Sequence, residues 1–224
     1  MQNSNAAVKT YKELRNLRIT ESTGYFQKFY ESLMETKTSY DFAHLGAENF
    51  KFVELNKAID YVMILLSRIE ADRKKIMVAS NGGSAGIAMH TLEDYATTGG
   101  LRTIDFYGPA MLTCIANDYG YEHVFAKQIE MFAEAGDMLF AISSSGKSPN
   151  IIMAAEAAKS RGCVVITFSG FEAVNPLRKM GRVNFYTPSN HYGFVEIAHQ
   201  TLIHCILDLF IKKKIYEQER ETLG

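Results

Sequence analysis

The fold of this 224-residue chain is decided by Asp137-Met-Leu-Phe-Ala-Ile-Ser-Ser-Ser-Gly-Lys-Ser-Pro-Asn-Ile-Ile-Met-Ala-Ala-Glu-Ala-Ala-Lys159. The stretch begins with an apolar run short enough for a buried strand and ends with the composition and apolar spacing of a helix. The loop between them carries four serines, a glycine and a lysine. Free N–H groups at a helix start, aided by the helix dipole, bind phosphate well. The loop therefore predicts either a phosphate site or a serine-rich N-cap. It lacks the spacing of a Walker loop.

The chain from residue 75 onward repeats this alternation of short apolar runs and helical segments. Alternation of this kind predicts a parallel sheet covered by helices on both faces. The predicted strands are Ile76–Ala79, Leu101–Phe106, Met138–Ile142, Cys163–Phe168 and Val183–Tyr186. The predicted helices lie near residues 85–95, 110–116, 121–133, 150–159 and 192–216.

The first part of the chain lacks this alternation. Residues 1–50 look helical, with large apolar residues on one helical face between Tyr25 and Met34, and Glu54–Ile69 forms a stronger amphipathic pattern. We therefore predict a helical N-terminal arm at residues 1–50, followed by a single α/β domain at residues 51–224.

The composition narrows the class of protein. Apolar residues make up 47%, charged residues 22%, and the net charge is −1, which offers no support for a nucleic-acid-binding surface. Cys114, Cys163 and Cys205 are far apart, without a C-x-x-C pair, and predict buried free thiols in a reducing compartment. The N-terminus lacks a signal-peptide apolar region, and no segment approaches the roughly 18 apolar residues of a membrane span. We expect a soluble cytoplasmic protein with neither nucleic acid nor membrane as a partner.

A second polar segment, Ser80-Asn-Gly-Gly-Ser84, follows the first strand of the predicted sheet. Ligands of open parallel sheets bind at the carboxyl ends of the strands, where this segment and the serine loop would both lie. The paired glycines allow close backbone approach, and Asn81 and Ser84 supply hydrogen bonds. Alone the segment is compatible with a tight turn. Together the two segments favour a phosphorylated small molecule as ligand.

Two predicted helices carry residues capable of metal binding or proton transfer. His90 and Asp94 are four apart and share a helix face, and Glu196 and His204, eight apart, share a face of the last helix. Two imidazoles and two carboxylates in one place would suit zinc or another divalent metal, or an acid/base pair. The alternatives without a functional role are that His204 is a core histidine and that Asp94 lies on a solvated acidic face.

Three motifs in the same order resemble the sugar isomerase (SIS) domain family. They are Ser80-Asn-Gly-Gly-Ser-Ala85 with His90 downstream, Ala116-Asn-Asp-Tyr-Gly-Tyr121 followed by Val124-Phe125, and Ile142-Ser-Ser-Ser-Gly-Lys-Ser-Pro-Asn150. Within the family, these motifs resemble those of the sedoheptulose-7-phosphate (phosphoheptose) isomerases. The likeness covers about residues 50–212.

The resemblance implies a fold and an activity. The fold would be a five-stranded parallel sheet between helices, with N-terminal helices that help to form a homotetramer and active sites shared between subunits. The activity would be aldose–ketose isomerisation of sedoheptulose 7-phosphate, through a cis-enediol, to a D-glycero-D-manno- or altro-heptose 7-phosphate. This reaction leads toward heptoses of bacterial surface polysaccharides.

The resemblance also assigns site residues. The substrate and its phosphate would be bound by Asn81, Gly82, Gly83, Ser84, Asp118, Ser143, Ser144, Ser145 and Ser148. Zinc or another divalent metal would be bound by His90, Asp94, Glu196 and His204, with Asp94 and His204 also acting as acid/base groups.

Two of these positions depart from the family pattern. Asp94 stands where the family has Glu, which shortens the side chain by one methylene, and Glu196 stands where the family has Gln, which adds a negative charge. Two hypotheses follow. The first is the isomerase, and the second is a non-catalytic SIS protein that binds a sugar phosphate or a protein partner.

Overall fold

The computed structural model of the chain describes residues 22–41 and 50–223, so predictions for residues 1–21 and 42–49 lie outside the described part. The helices are α1 (22–34), α2 (Leu55–Ala71), α3 (Gly82–Thr97), α4 (Pro109–Tyr119), α5 (Ala126–Phe132), α6 (Pro149–Ser160) and α7 (Tyr192–Leu223). The strands are β1 (Lys37–Asp41), β2 (Phe50–Val53), β3 (Lys75–Ala79), β4 (Arg102–Ile104), β5 (Met138–Ser143), β6 (Val164–Ser169) and β7 (Val183–Tyr186). Single 3₁₀ turns cover Tyr121–His123 and Leu177–Lys179.

The strands form one seven-stranded sheet in the order β2-β1-β7-β6-β5-β3-β4. Strands β3 to β7 pair in parallel and are the five strands that the sequence predicts. The sheet is extended by two antiparallel strands, β1 against β7 and β2 against β1. The predicted α/β fold with a parallel sheet between helices is therefore confirmed, and the strand count is corrected from five to seven.

The prediction of helix throughout residues 1–50 is wrong at Lys37–Asp41. This segment forms β1, which pairs with β7 through the register Thr38↔Phe185 and with β2 through Thr38↔Val53. Thr38 is buried, and its hydroxyl donates a hydrogen bond to the Val53 carbonyl oxygen over 2.6 Å. Threonine and tyrosine suit a half-buried strand, and pairing with a distant strand outweighs the weak helical pattern. The division into an arm and a domain stays a prediction.

The core has one apolar layer on each face of the sheet, because successive residues of a strand point to opposite faces. On β3, Ile76 and Val78 join the layer packed against α2, α3 and α7, whereas Met77 and Ala79 join the layer packed against α5 and α6. Burial on both faces explains the continuous apolar runs of the parallel strands. Because β3, β5 and β6 pair in parallel, the loops that follow them emerge at one edge of the sheet.

Helix α7 is a core helix on one face of the sheet. Its segment Tyr192–Arg220 is long and apolar enough to cross a membrane by length and composition alone, so the prediction that no segment approaches this limit is wrong. Half of the apolar window is buried inside the chain, with Val195, Ala198 and Phe210 fully enclosed. This burial is typical of the central helix of a globular domain.

The three cysteines are free thiols, as the sequence predicts, but Cys114 is exposed on α4 rather than buried. Cys163 and Cys205 are half-buried. Burial raises the pKa of the Cys163 thiol to about 11, so this thiol is protonated at neutral pH.

Candidate active site

A cavity of about 230 Å³ opens at the carboxyl ends of β3 and β5, between the first turns of α3 and α6. Ligand pockets typically measure roughly 300–1,000 Å³. This cavity therefore suits the phosphate end of a sugar rather than the whole molecule. Its lining residues are Asn81, Gly82, Gly83, Ser84, Ile142, Ser143, Ser144, Ser145, Ser148, Tyr192 and Glu196. Of the predicted substrate-binding residues, all except Asp118 lie here.

The serine loop after β5 has a fixed geometry. The Ser143 hydroxyl lies 3.1 Å from the Ser148 hydroxyl and accepts a hydrogen bond from the Gly146 N–H over 3.1 Å. Gly146 has φ +64°, and a Cβ there would lie 2.0 Å from Asn175 Oδ1. That oxygen is held by the Arg178 N–H, which donates to it over 3.0 Å. Glycine is therefore required at 146 for both conformation and space.

The loop after β3 is joined to the serine loop by side-chain hydrogen bonds. The amides of Asn81 and Asn150 exchange two hydrogen bonds of 2.8 Å, and the Tyr121 hydroxyl donates to Asn81 Oδ1 over 3.0 Å. The Ser84 and Ser144 hydroxyls lie 3.4 Å apart. Sequence reasoning missed Asn150 and Tyr121 as site residues, although both belong to the quoted motifs.

The electrostatics of the cavity depend on backbone dipoles rather than on a basic side chain. Lys147 forms an ion pair with Glu172 at 2.7 Å and does not line the cavity. Glu196 alone is charged among the described lining residues. The N-termini of α3 and α6 supply partial positive charge and free N–H groups. These features suit a phosphate held by hydroxyls and amides.

A second group of side chains, the His90–Asp94–His204 cluster, lies between α3 and α7. Asp94 Oδ2 is 3.0 Å from His90 Nε2 and 3.4 Å from His204 Nδ1, and the two imidazoles meet edge to face with centroids 5.0 Å apart. One donor atom from each residue lies within 4.8 Å of the others. Two imidazole nitrogens and a carboxylate oxygen are a common ligand set for zinc. The cluster therefore fits a divalent metal, and it also fits proton transfer.

Glu196 does not join this cluster among the described residues. Its carboxylate lies over the first turn of α3, where a Cβ on Gly83 would be 2.7 Å from Oε2. Glu196 and His204 are eight positions apart, a rise of about 12 Å along α7. The structure thus brings together three of the four predicted metal ligands and places the fourth in the cavity.

The comparison with known families agrees with this architecture. The SIS domain family matches residues 49–170, more than half of the chain. The chain belongs to the SIS domain family. It is 35% identical to a phosphoheptose isomerase of Fusobacterium nucleatum subsp. nucleatum, over 70% of this chain and 85% of the relative. It is 33% identical to that of Helicobacter hepaticus, over 79% of this chain and 92% of the relative.

Solved SIS structures are similar over most of the chain. The phosphoheptose isomerase GmhA of Neisseria gonorrhoeae superposes with a TM-score of 0.69 at 28% identity, covering 85% of this chain and 97% of that one. A phosphoheptose isomerase of Francisella tularensis gives a TM-score of 0.71 at 23% identity, covering 87% and 98%, which supports the fold alone.

Asp118 is the predicted substrate-binding residue that this SIS chain leaves outside the cavity. It lies exposed on α4, where the Asn117 side-chain amide donates to its Oδ1 over 2.9 Å. Its contact with the sugar stays a prediction, because the cavity suits the phosphate end of a sugar and Asp118 lies outside it.

His199 lies along α7 between the two groups of site residues in this SIS protein. It lies on α7 between Glu196 and His204, fully buried, with Nε2 3.1 Å from the Ser169 carbonyl oxygen at the end of β6. Burial lowers the pKa of His199 to about 4, so the imidazole is neutral at neutral pH and Nε2 carries the proton that it donates. Sequence reasoning missed this residue, because its polar neighbours Gln200 and Thr201 give no signal of its burial.

Proposed function

We propose that this SIS protein is a phosphoheptose isomerase that converts sedoheptulose 7-phosphate into a D-glycero-D-manno- or altro-heptose 7-phosphate, for surface-polysaccharide synthesis. The observation that carries the proposal is the placement of a hydroxyl-lined cavity and a His–Asp–His cluster along the same two helices, α3 and α7. Relatives named phosphoheptose isomerase, which match at 33–35% identity, support the assignment.

The phosphate of the substrate would be held in the cavity. Hydroxyls of Ser84, Ser143, Ser144, Ser145 and Ser148 and the free N–H groups of α3 and α6 would bind its oxygens. With the phosphate fixed, the sugar carbons extend out of this small cavity. Such anchoring of a remote group places the reacting carbons reproducibly against the catalytic residues.

The reaction moves a carbonyl group from C2 to C1. One group, Asp94 or His204, would remove a proton from C1 of the open-chain ketose, giving a cis-enediol, and the other would return a proton to C2. The two side chains lie 3.4 Å apart, so both can face the same substrate carbons, and a proton would pass between them through a substrate oxygen or one water. The net change is a shift of one hydrogen from C1 to C2 and of one hydroxyl proton from O1 to O2.

The metal of this site would be zinc or another divalent ion, held by His90, Asp94 and His204. A bound metal would act as a Lewis acid that polarises substrate oxygens. Asp94 and the two imidazoles form a site that is open on one side, because His90 is exposed and the other two residues are half-buried. An open site of this kind leaves room for a substrate oxygen.

We further propose a cytoplasmic homotetramer whose sites are completed by neighbouring subunits. Helix α1 exposes four large apolar side chains, Tyr25, Phe26, Tyr30 and Met34, and Asp118 stands exposed outside the cavity of its own chain. Exposed apolar patches of this kind mark association surfaces. Sedimentation velocity of the purified protein measures the assembly directly.

The activity is tested by incubating the protein with sedoheptulose 7-phosphate in D₂O and following the aldose C1 signal and deuterium incorporation by NMR. We expect aldose formation that falls to background in His204→Ala. Binding of the sugar phosphate with neither turnover nor exchange at carbon would favour the non-catalytic SIS protein instead.

Metal content tests the cofactor. Elemental analysis of the purified protein is expected to give about one divalent metal per chain, and His90→Ala is expected to lose it. A protein that is fully active after chelation, with no metal by elemental analysis, would contradict the metal site.

A further inference from the structure

The Glu196 carboxylate has no role in the cluster where the sequence predicts it, yet it is the charged group of the cavity. It is half-buried on α7 and lies against the backbone of Gly83, next to the serine hydroxyls that line the same space. Among the described residues it has no ion-pair partner and receives no hydrogen bond. Its oxygen lone pairs are therefore available to a ligand.

Because the other lining groups are neutral, the negative charge of Glu196 can discriminate between neutral and anionic groups of a ligand. Serine and asparagine side chains and free N–H groups can bind one phosphate. Lys147, the cation of the serine loop, forms an ion pair with Glu172 outside the cavity. A second anionic group on the ligand would thus meet Glu196 with no cation beside it. Hydroxyl groups, in contrast, are good donors to a carboxylate.

We infer that Glu196 is a specificity-determining residue: it accepts hydrogen bonds from hydroxyl groups next to the bound phosphate and excludes ligands that carry a second negative charge. The inference rests on the proposed function for the location of the phosphate. It restricts the substrate class to phosphate monoesters of uncharged polyols and sugars. Sugar bisphosphates and phosphorylated sugar acids are rejected by repulsion rather than by size.

The test compares two three-carbon ligands that differ at one end and fit the small cavity. Glycerol 3-phosphate carries a terminal hydroxymethyl group, and 3-phosphoglycerate carries a carboxylate there. Their dissociation constants are measured by calorimetry or ligand-observed NMR, with inorganic phosphate as a third ligand. We expect wild-type protein to favour glycerol 3-phosphate by at least about tenfold, because like charges in one cavity repel.

Glu196→Gln keeps the shape of the side chain and removes its charge. We expect the preference to fall below about threefold in this variant, because neutral glutamine does not repel the carboxylate. A general gain in anion affinity cancels in the ratio of the two constants. Glu156→Gln, an exposed position on α6 outside the cavity, removes the same net charge and is expected to keep the wild-type ratio.

The outcomes separate the inference from the proposed function. An unchanged ratio in Glu196→Gln overturns the role of Glu196 and leaves the phosphate site intact. Failure of wild-type protein to bind glycerol 3-phosphate or inorganic phosphate overturns the phosphate cavity and the inference together. Thermal melting of each variant verifies that it is folded.

Discussion

The serine cavity and the His90–Asp94–His204 cluster are neighbours on the same helices, but they are assembled in different ways. Apart from Tyr192 and Glu196 of α7, the cavity is built from two loops whose positions follow from the pairing of β3 with β5, and most of its donors are hydroxyls and backbone N–H groups. The cluster takes side chains from two helices that are distant in sequence. In the proposed function, binding therefore depends on local backbone, and chemistry depends on how α3 packs against α7.

His204→Ala is expected to give the largest difference between the effect on turnover and the effect on phosphate binding. Loss of an acid/base group typically lowers the rate by about 10²–10⁴-fold. We expect kcat to fall by at least about 100-fold while the affinity for inorganic phosphate stays within about threefold, because no hydroxyl of the cavity is changed. Steady-state kinetics and calorimetry measure the two quantities. His123→Ala, which removes a histidine outside the cluster, is the matched control, and a comparable loss there would contradict the assignment.

Gly146→Ala is expected to have the opposite effect: it should impair the cavity and spare the His90–Asp94–His204 cluster. The residue has φ +64°, and the new Cβ would strike the fixed side chain of Asn175. A left-handed conformation costs alanine about 1–2 kcal/mol, and overpacking adds about 1–3 kcal/mol. We expect a matching fall in the free energy of unfolding and weakened phosphate binding, with metal uptake at the cluster retained.

Gly86→Ala is the control for that experiment. Gly86 lies in α3 with no atom within 4 Å of an added Cβ, so alanine there is expected to be neutral or slightly stabilising. Equal destabilisation by both substitutions would show that the loop geometry at 146 is not the cause.

Substitution of His199 tests whether one buried residue positions α7 for both the cavity and the cluster. The pKa of a histidine is about 6.5 in the unfolded chain and is lowered by burial to about 4 in the folded one, so only the unfolded chain takes up the proton between these values. The free energy of unfolding should therefore fall as pH drops from 6.5 to 4, by up to roughly 3 kcal/mol. Urea unfolding at a series of pH values checks this.

His199→Leu has no titrating imidazole and is expected to lose this part of the pH dependence. If wild type and variant show the same slope between pH 6.5 and 4, the buried neutral imidazole is not its source. The variant also removes the hydrogen bond to the Ser169 carbonyl oxygen, so weaker binding and slower turnover together would show that His199 positions α7 for both regions.

The smallest effect is expected from Tyr121→Phe. This change removes one exposed hydrogen bond to Asn81 Oδ1, which is worth about 0.5–1.5 kcal/mol. We expect a few-fold rise in KM with kcat nearly unchanged, measured with sedoheptulose 7-phosphate. Tyr119→Phe removes a neighbouring exposed hydroxyl outside the cavity, and equal changes in both variants would argue against a role for Tyr121.

The sequence by itself determined the parallel sheet and the hydroxyl-lined cavity. Apolar runs such as Met138–Ile142 predict strands because burial on both faces requires continuous apolar residues. The serine and glycine segments predict the cavity because parallel strands bring their carboxyl ends to one edge. The polar side chains act within a few residues of their strand, so local pattern is enough to place them.

Only the tertiary structure decided β1 and the position of Glu196. Strand β1 exists because it pairs with β7, which follows it by more than 140 residues. Local propensity does not predict pairing with so distant a strand. Helical spacing places Glu196 and His204 on one face of α7, but the packing of α7 on α3 brings His204 to Asp94 and leaves Glu196 over Gly83. The contacts made by a long helix change along its length, and spacing alone does not specify them.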